Sequence, residues 1–255
     1  MYWMDVLVLL FGLFWGSFLA LLSYRIPKNI SVITPRSFCD HCGKKIHFYN
    51  NIPLLSYILQ KGKCRECGQR ISWRYPFIEL LTGAIFVFAF TTFAEDYYYT
   101  LIKAFVITTV LIPTIFIDID ERMIPDRFSI GLLIFGFVFS FFDPGMTWHG
   151  SAIGIVVGGG LFFIVAEGYH LMTGREGMGG GDIKLIAAIG AFMGWYPVLM
   201  VIFISSMLGS IYGIFAMIVL KKGRLTEIPF GPFISIAALL YFLLSEGGFL
   251  GWTLR

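Results

Sequence analysis

Charge is what this sequence has least of. Asp, Glu, Lys and Arg make up only 14% of its 255 residues, whereas about 25% is usual in soluble domains. Hydrophobic residues account for 57% of the chain, and the mean hydropathy is +0.79. A chain of this composition would not stay in solution, so the composition excludes a soluble protein and predicts a membrane protein.

The first apolar run, Met4–Tyr24, lacks the marks of a secretory signal peptide. Such a peptide has a basic region before the apolar run and a small-residue cleavage site after it. Neither a basic N-terminal region nor a clear cleavage site of this kind is found around the run. We therefore expect it to be retained as a membrane anchor.

Eight apolar windows are candidates for membrane-spanning helices, each of which needs roughly 20 apolar residues. The fourth, sixth and eighth windows are short. The windows are Met4–Tyr24, Pro76–Phe93, Leu101–Ile117, Phe128–Phe142, Ser151–Met172, Ile183–Trp195, Pro197–Leu220 and Gly231–Ser245. The sequence thus predicts an all-α polytopic membrane protein with about eight transmembrane helices.

The basic residues predict the orientation of these helices. Seventeen of the 19 Lys and Arg residues fall in alternate loops, and only Lys103 and Arg255 fall on the opposite side. Because short cytoplasmic loops are enriched in Lys and Arg, we expect the basic loops in the cytoplasm and both termini outside. The basic residues then reflect membrane topology, and no nucleic-acid partner is indicated.

A polar insertion separates the first two windows, so the sequence divides into a first helix (1–24), the insertion (25–75) and a seven-helix membrane body (76–255). The insertion carries two CxxC pairs, each followed by glycine; their cysteines are Cys39, Cys42, Cys64 and Cys67. Two such pairs are typical of a structural zinc site with four thiolate ligands. Ordinary reduced cysteines or two redox dithiols are the alternatives. No internal repeat is evident by inspection.

Other residues of the insertion have simpler interpretations. His41 and His47 lie near the cysteines, but four thiolates already complete a zinc site, so we expect both histidines to face solvent. The stretch from Pro53 to Gly62 predicts a short helix that ends before the second pair. Lys63 lies beside the thiolates and could simply balance their negative charge.

Two aspartates lie at the ends of apolar windows. Asp118 ends the third, and Asp182 begins the sixth behind a run of four glycines in five residues, Gly177 and Gly179–Gly181. Asp182 could cap its helix, but the glycines also leave a path for another chain to approach. Two carboxylates that share a proton are the minimum machinery of an aspartic protease. Glu79, about one turn into the second window, could form an interhelical hydrogen bond or contribute to a site.

These motifs together resemble the bifunctional type IV prepilin leader peptidases, also called prepilin peptidase/N-methyltransferases. The resemblance covers nearly the whole chain and includes the family's GxGD signature at 179–182. The matching stretches are "GSFLALLSYRIP", "PRSFCDHCGKKI", "NNIPLLSYILQKGKCRECGQRIS", "RYPFIELLTG", "DIDERMIPD" and "GMGGGDIKL".

The resemblance implies an enzyme of the bacterial cytoplasmic membrane. It would cut the basic leader from prepilins and pseudopilins and methylate the new N-terminus with S-adenosylmethionine. The implied catalytic pair is Asp118 and Asp182; Asp120 competes with Asp118, which leads the stretch closing on Ile124-Pro125-Asp126. Gly62 and Lys63 match a pair linked to methyl transfer, and zinc on the four cysteines is expected.

Three other functions are weighed against this one. The chain could be a peptidase without methyl transfer, since no glycine-rich nucleotide-binding signature of the Rossmann type is present. It could also be a non-catalytic, zinc-stabilised membrane adaptor of a secretion system. An intramembrane protease of the presenilin type shares GxGD but predicts acids deep within the spans, whereas here both lie at span ends. The oligomeric state is left open.

Overall fold

The computed structural model describes residues 2–93, 98–175, 177–219 and 228–246. These residues form an all-helical structure, which confirms the predicted fold class. The α-helices are α1 (Tyr2–Arg25), α2 (Leu55–Leu59), α3 (Arg74–Phe93), α4 (Tyr98–Glu121), α5 (Asp126–Phe139), α6 (Trp148–Thr173), α7 (Gly180–Met193), α8 (Trp195–Ile218) and α9 (Gly231–Glu246). The short helix α2 in the insertion agrees with the prediction from the sequence.

Five of these helices are long and apolar enough to cross a membrane: α1, α3, α4, α6 and α8. Helices α5 and α7 have 14 residues each, or about 21 Å at 1.5 Å per residue, whereas the hydrocarbon core is about 30 Å thick. Helix α9 has 16 residues. Every predicted window overlaps a helix, but the count of eight spans stays a prediction. Leu220, which ends the seventh window, lies outside the described residues.

The chain divides into two compact units, Met1–Pro113 and Thr114–Arg255. In the first unit, α1 packs along α3. The helices approach closely because Gly16 has no side chain: a Cβ atom there would lie 2.7 Å from the Glu79 Cα atom. Phe105 of α4 stacks against Phe11 and Trp15 of α1. Small residues and aromatic rings therefore hold these helices together.

Helix α7 forms the core of the second unit. Every residue from Leu185 to Phe192 is buried, and α5, α6, α8 and α9 all contact this helix. Helix α6 crosses α7 where Gly154 faces Gly190, and a Cβ atom at either position would overlap the other's carbonyl oxygen. Close approach through small residues is the usual way that membrane helices pack. The start of α7, which carries Asp182, is thereby anchored to a rigid core.

Replacing Gly154 with valine should destabilise the second unit. The added atoms cannot fit between α6 and α7 without separating the two backbones, which should cost about 1–3 kcal/mol or more. Thermal unfolding of the purified protein in detergent would measure the loss. Gly160→Val is the matched control, because a Cβ atom at Gly160 on the same helix meets no atom within 4 Å. Equal unfolding temperatures for the two variants would contradict the proposed crossing.

Candidate active site and metal centre

Asp118 lies near the C-terminal end of α4, where the helix turns its side chain into the protein. The residue is only 5% exposed. Its Oδ2 atom accepts a hydrogen bond of 3.0 Å from the backbone N–H of Gly231. Gly231 is the first residue of α9, and the first N–H groups of a helix have no partner within the helix. Asp118 therefore satisfies a donor that α9 leaves unpaired.

Asp182 lies in the first turn of α7 and is half-buried. The N-cap residue of this helix is Gly179, so Asp182 follows the cap instead of occupying it. Its backbone N–H donates to the Gly179 carbonyl at 3.1 Å. An acid in the first turn still opposes the positive end of the helix dipole. The capping alternative is thus replaced by a weaker electrostatic contribution.

The two carboxylates lie close enough for the charge of Asp118 to act on Asp182. Ile124, from the loop between α4 and α5, packs against a glycine next to each carboxylate. The Cβ atom of Ile124 is 3.1 Å from the position that a Cβ atom on Gly181 would occupy. Its Cδ1 atom is 2.9 Å from the position that a Cβ atom on Gly231 would occupy. One apolar side chain thus touches the glycine before Asp182 and the glycine that donates to Asp118.

Asp120, the competing aspartate, is exposed on α4. The geometry therefore joins Asp118, and not Asp120, with Asp182. Asp126 is also exposed and forms a 2.7 Å ion pair with Lys184 of α7. This pair fastens the loop that carries Ile124 to the first turns of α7, although an exposed ion pair adds at most about 1 kcal/mol.

Gly231 and Ile124 were not predicted as parts of this site. Gly231 is separated from Asp118 by 113 positions, so no local spacing connects the two. Gly231 lies between Phe230 and Pro232, a helix-start pattern that could have indicated a free backbone donor. Ile124 resembles any other apolar residue of a loop.

The four cysteines form one cluster, as predicted. Their sulfur atoms all lie within 4.8 Å of one another, and the Cys39 and Cys67 sulfurs are 3.8 Å apart. Tetrahedral thiolates at about 2.3 Å from an ion stand about 3.8 Å apart. All four cysteines are free, so the cluster has the donors and spacing for one metal ion. His41 and His47 are exposed, which confirms their predicted solvent-facing position.

The two cysteine pairs occupy two copies of one hairpin, residues 37–46 and 62–71. In the first copy, the Cys39 N–H donates to the carbonyl of Lys44 at 2.9 Å. In the second, the Cys64 N–H donates to the carbonyl of Gln69 at 2.8 Å, at an offset of 25 residues. The repeat can also be seen in the sequences SFCDHCGKKI and GKCRECGQRI. The insertion therefore contains an internal repeat, contrary to the prediction that the chain has none.

Each hairpin turns through a glycine with positive φ, +69° at Gly43 and +72° at Gly68. This conformation is nearly free for glycine and strained for other residues. It also brings backbone amides toward the sulfurs. The amides of Cys67 and Glu66 lower the pKa of the Cys64 thiol to about 7, and a thiol with a lowered pKa is a better metal ligand.

Gly62 and Lys63 occupy different environments at the start of the second hairpin. Gly62 is buried against the ring of Tyr57, and its φ is +65°. Lys63 is exposed. Glu79 is only 6% exposed and accepts a hydrogen bond of 2.8 Å from the backbone N–H of Leu54. Ser17 of α1 lies close enough to interact with Glu79, and the predicted interhelical hydrogen bond of Glu79 stays a prediction.

Two family models match the chain. The bacterial peptidase A24 N-terminal domain matches residues 10–93, and the type IV leader peptidase family matches residues 104–214. No solved structure matches the chain.

Curated relatives match most of the chain. A prepilin leader peptidase/N-methyltransferase of Aeromonas salmonicida (strain A449) is 34% identical over 256 residues, covering 91% of this chain and 87% of the relative. A protein of the same name from Bacillus subtilis (strain 168) is 34% identical over 240 residues, with 94% of each chain covered. The Neisseria gonorrhoeae protein of that name is 31% identical, with 92% and 88% covered.

Proposed function

The chain belongs to the type IV leader peptidase family, and on this premise we propose that Asp118 and Asp182 form its catalytic pair. The enzyme cleaves the leader peptide from prepilins and N-methylates the new N-terminus. A peptidase without methyl transfer and a non-catalytic adaptor are not favoured, because the relatives' names carry both activities.

The observation that carries this proposal is that two carboxylates from separate helices, one buried and one half-buried, lie close enough to interact electrostatically. Two like charges at close range favour a state in which one group keeps its proton. The ionised carboxylate then takes a proton from water, and the protonated one donates a hydrogen bond to the scissile carbonyl. Because the pair titrates as a unit, neither role is assigned to one residue.

The glycines before Asp182 are proposed to let the substrate backbone approach. A Cβ atom at Gly180 would meet nothing within 4 Å, and at Gly179 only the Asp182 carboxylate. Gly177 and Gly181 serve packing instead, because their Cβ positions are filled by Tyr169 and Ile124. Open space therefore borders Asp182 on the side of Gly179 and Gly180.

We assign a structural zinc ion to Cys39, Cys42, Cys64 and Cys67. Four thiolates leave no open coordination position, so the ion would hold the two hairpins together and would not take part in catalysis. The insertion, 25–75, is proposed as the domain associated with methyl transfer from S-adenosylmethionine, and 76–255 as the peptidase domain. The proposed location is the bacterial inner membrane, with the insertion and the aspartates on the cytoplasmic side.

Replacing either aspartate of the pair with asparagine should abolish prepilin cleavage. Loss of the proton acceptor or donor should lower the rate by at least about a hundredfold. Asp120→Asn, an exposed change on the same helix, should alter the rate by no more than a factor of about three. Mass spectrometry of a co-expressed prepilin would report the cleaved fraction. Cleavage that survives in Asp118→Asn and is lost in Asp120→Asn would reverse the assignment.

Gly231→Ala should slow cleavage even though alanine keeps the backbone N–H. The new Cβ atom would lie 2.7 Å from the Oδ2 atom of Asp118, so the carboxylate must move. A displacement of about 1 Å can cost up to about a hundredfold in rate. Gly131→Ala is the control, since a Cβ atom there meets nothing within 4 Å. Indistinguishable cleavage rates would remove Gly231 from the site.

Purified protein should contain about one zinc ion per chain, bound by the four thiolates. Cys39→Ser should lower this content sharply and make the insertion sensitive to protease, because the ion contributes much of the folding free energy. His41→Ala should retain zinc. Metal analysis of both variants and the parent gives the answer, and a full zinc content in Cys39→Ser would exclude the four-thiolate site.

A further inference from the structure

The first compact unit contains a partly open cavity of about 1060 Å³. Its walls come from α1, from α3 and from the cysteine-containing insertion. Sites for small molecules usually occupy about 300–1000 Å³, so this cavity can hold a ligand of cofactor size with room to spare. Neither the catalytic aspartates nor their neighbours line it.

One side of the cavity is apolar and another is aromatic. Helix α1 contributes Phe14, Phe18 and Leu21. The aromatic side chains come mainly from the insertion and the start of α3, with Tyr57 and Trp73 among them. Such rings can stack on a planar base and can also attract a cation to their faces.

Glu79 is the buried acid in this wall. It is only 6% exposed and accepts a hydrogen bond from the Leu54 N–H at 2.8 Å. A carboxylate has about four acceptor sites, so it can accept further bonds. Among the described residues, no Lys, Arg or His forms an ion pair with it. A buried carboxylate without a cationic partner is costly, and a cationic ligand would supply the missing charge.

The buried arginine of the same wall is already engaged. Arg25 is 3% exposed and donates to the carbonyls of Ser31 and Arg36 at 2.8 and 3.3 Å. Its guanidinium also lies over the Phe38 ring. Arg25 therefore supports the fold of the insertion. The other charged residues of the lining are exposed, and Lys44 and Glu66 among them pair with each other, so Glu79 is the buried charge of the wall that a ligand can meet.

We propose that this cavity binds S-adenosylmethionine, with Glu79 facing its positively charged groups and the aromatic side chains contacting its adenine. This inference rests on the proposed methyltransferase function and adds the place of binding. S-adenosylmethionine combines a sulfonium, an ammonium and an aromatic base, which are the groups that a buried carboxylate and an aromatic wall can recognise.

The same geometry gives Gly62 a role as a positioning residue. Gly62 does not line the cavity, but the Tyr57 ring does. A Cβ atom at Gly62 would lie 3.1 Å from the Cζ and Oη atoms of Tyr57. The Gly62 N–H also donates to the Tyr57 carbonyl at 2.9 Å. A side chain at position 62 would therefore displace an aromatic wall of the cavity without touching the ligand.

The test measures binding of S-adenosylmethionine to the purified full-length protein in detergent by titration calorimetry. Glu79→Gln should raise the Kd at least about tenfold, since a charge-assisted hydrogen bond is lost. Gly62→Ala should also raise the Kd. Gly174→Ala is the control for backbone strain, because Gly174 has a similar φ of +68° and its Cβ position meets no atom within 4 Å. Its Kd should match that of the parent.

Zinc content and prepilin cleavage report on the folding of the variants. If a variant has lost both its zinc and its prepilin cleavage, it is misfolded and its Kd is not used. The test is then ultraviolet cross-linking of radiolabelled S-adenosylmethionine to the parent protein. The label should map to peptides that contain Tyr57 or Trp73. Labelling confined to residues beyond 113 would overturn the assignment of the cavity.

The outcomes separate this inference from the function on which it rests. A parent protein that neither binds S-adenosylmethionine nor methylates a cleaved pilin would refute the methyltransferase function. A parent that binds and methylates, with unchanged Kd in Glu79→Gln and Gly62→Ala, would refute the cavity alone. Raised Kd values in both variants and an unchanged value in Gly174→Ala support the cavity.

Discussion

A carboxylate can be buried in this apolar protein only if a hydrogen-bond donor comes with it. Three carboxylates are buried among the described residues, and each accepts a hydrogen bond from a backbone N–H. Asp143 accepts from Gly145 in a turn, whereas the other two accept from residues at the start of a helix. Asp118 accepts from Gly231 at the start of α9, and Glu79 accepts from Leu54 just before α2. Helix starts offer such donors without a competing side chain. Helix α9 and the insertion thus supply the backbone donors that allow Asp118 and Glu79, one in each proposed site, to be buried.

Close helix packing supports both arrangements. Gly16 lets α1 approach the backbone of Glu79, while Gly154 and Gly190 let α6 approach α7, which carries Asp182. Apolar side chains gain little by leaving lipid for a protein interior, so contact through small residues takes over the role of the hydrophobic core. The glycines of this chain therefore matter more for holding the acids in place than for flexibility.

The parts that could be predicted from the sequence are those that local spacing determines. The CxxC pairs and the GxGD stretch each lie within a few residues, so the cysteine cluster and Asp182 were identifiable. Asp118 could be identified only from the motif that it begins, DIDERMIPD. Gly231 could not be identified, because its contact with Asp118 spans 113 positions and no sequence pattern encodes it. Apolar windows predicted where helices lie but not their lengths, because apolarity continues past the last helical residue, as at Phe139 in α5.

The duplicated hairpin of the insertion divides the ligands of the proposed zinc ion evenly. Each copy supplies two sulfurs, and the cavity wall takes Cys39 from one copy and Cys64 from the other. Half a ligand set holds an ion poorly, so the two copies should close together or not at all. In a cell short of zinc, the enzyme would then lose the cavity proposed to bind S-adenosylmethionine, while the proposed catalytic aspartates would still cleave leader peptides. The supply of zinc would therefore determine whether pilin N-termini are methylated without affecting whether the leader peptide is cleaved.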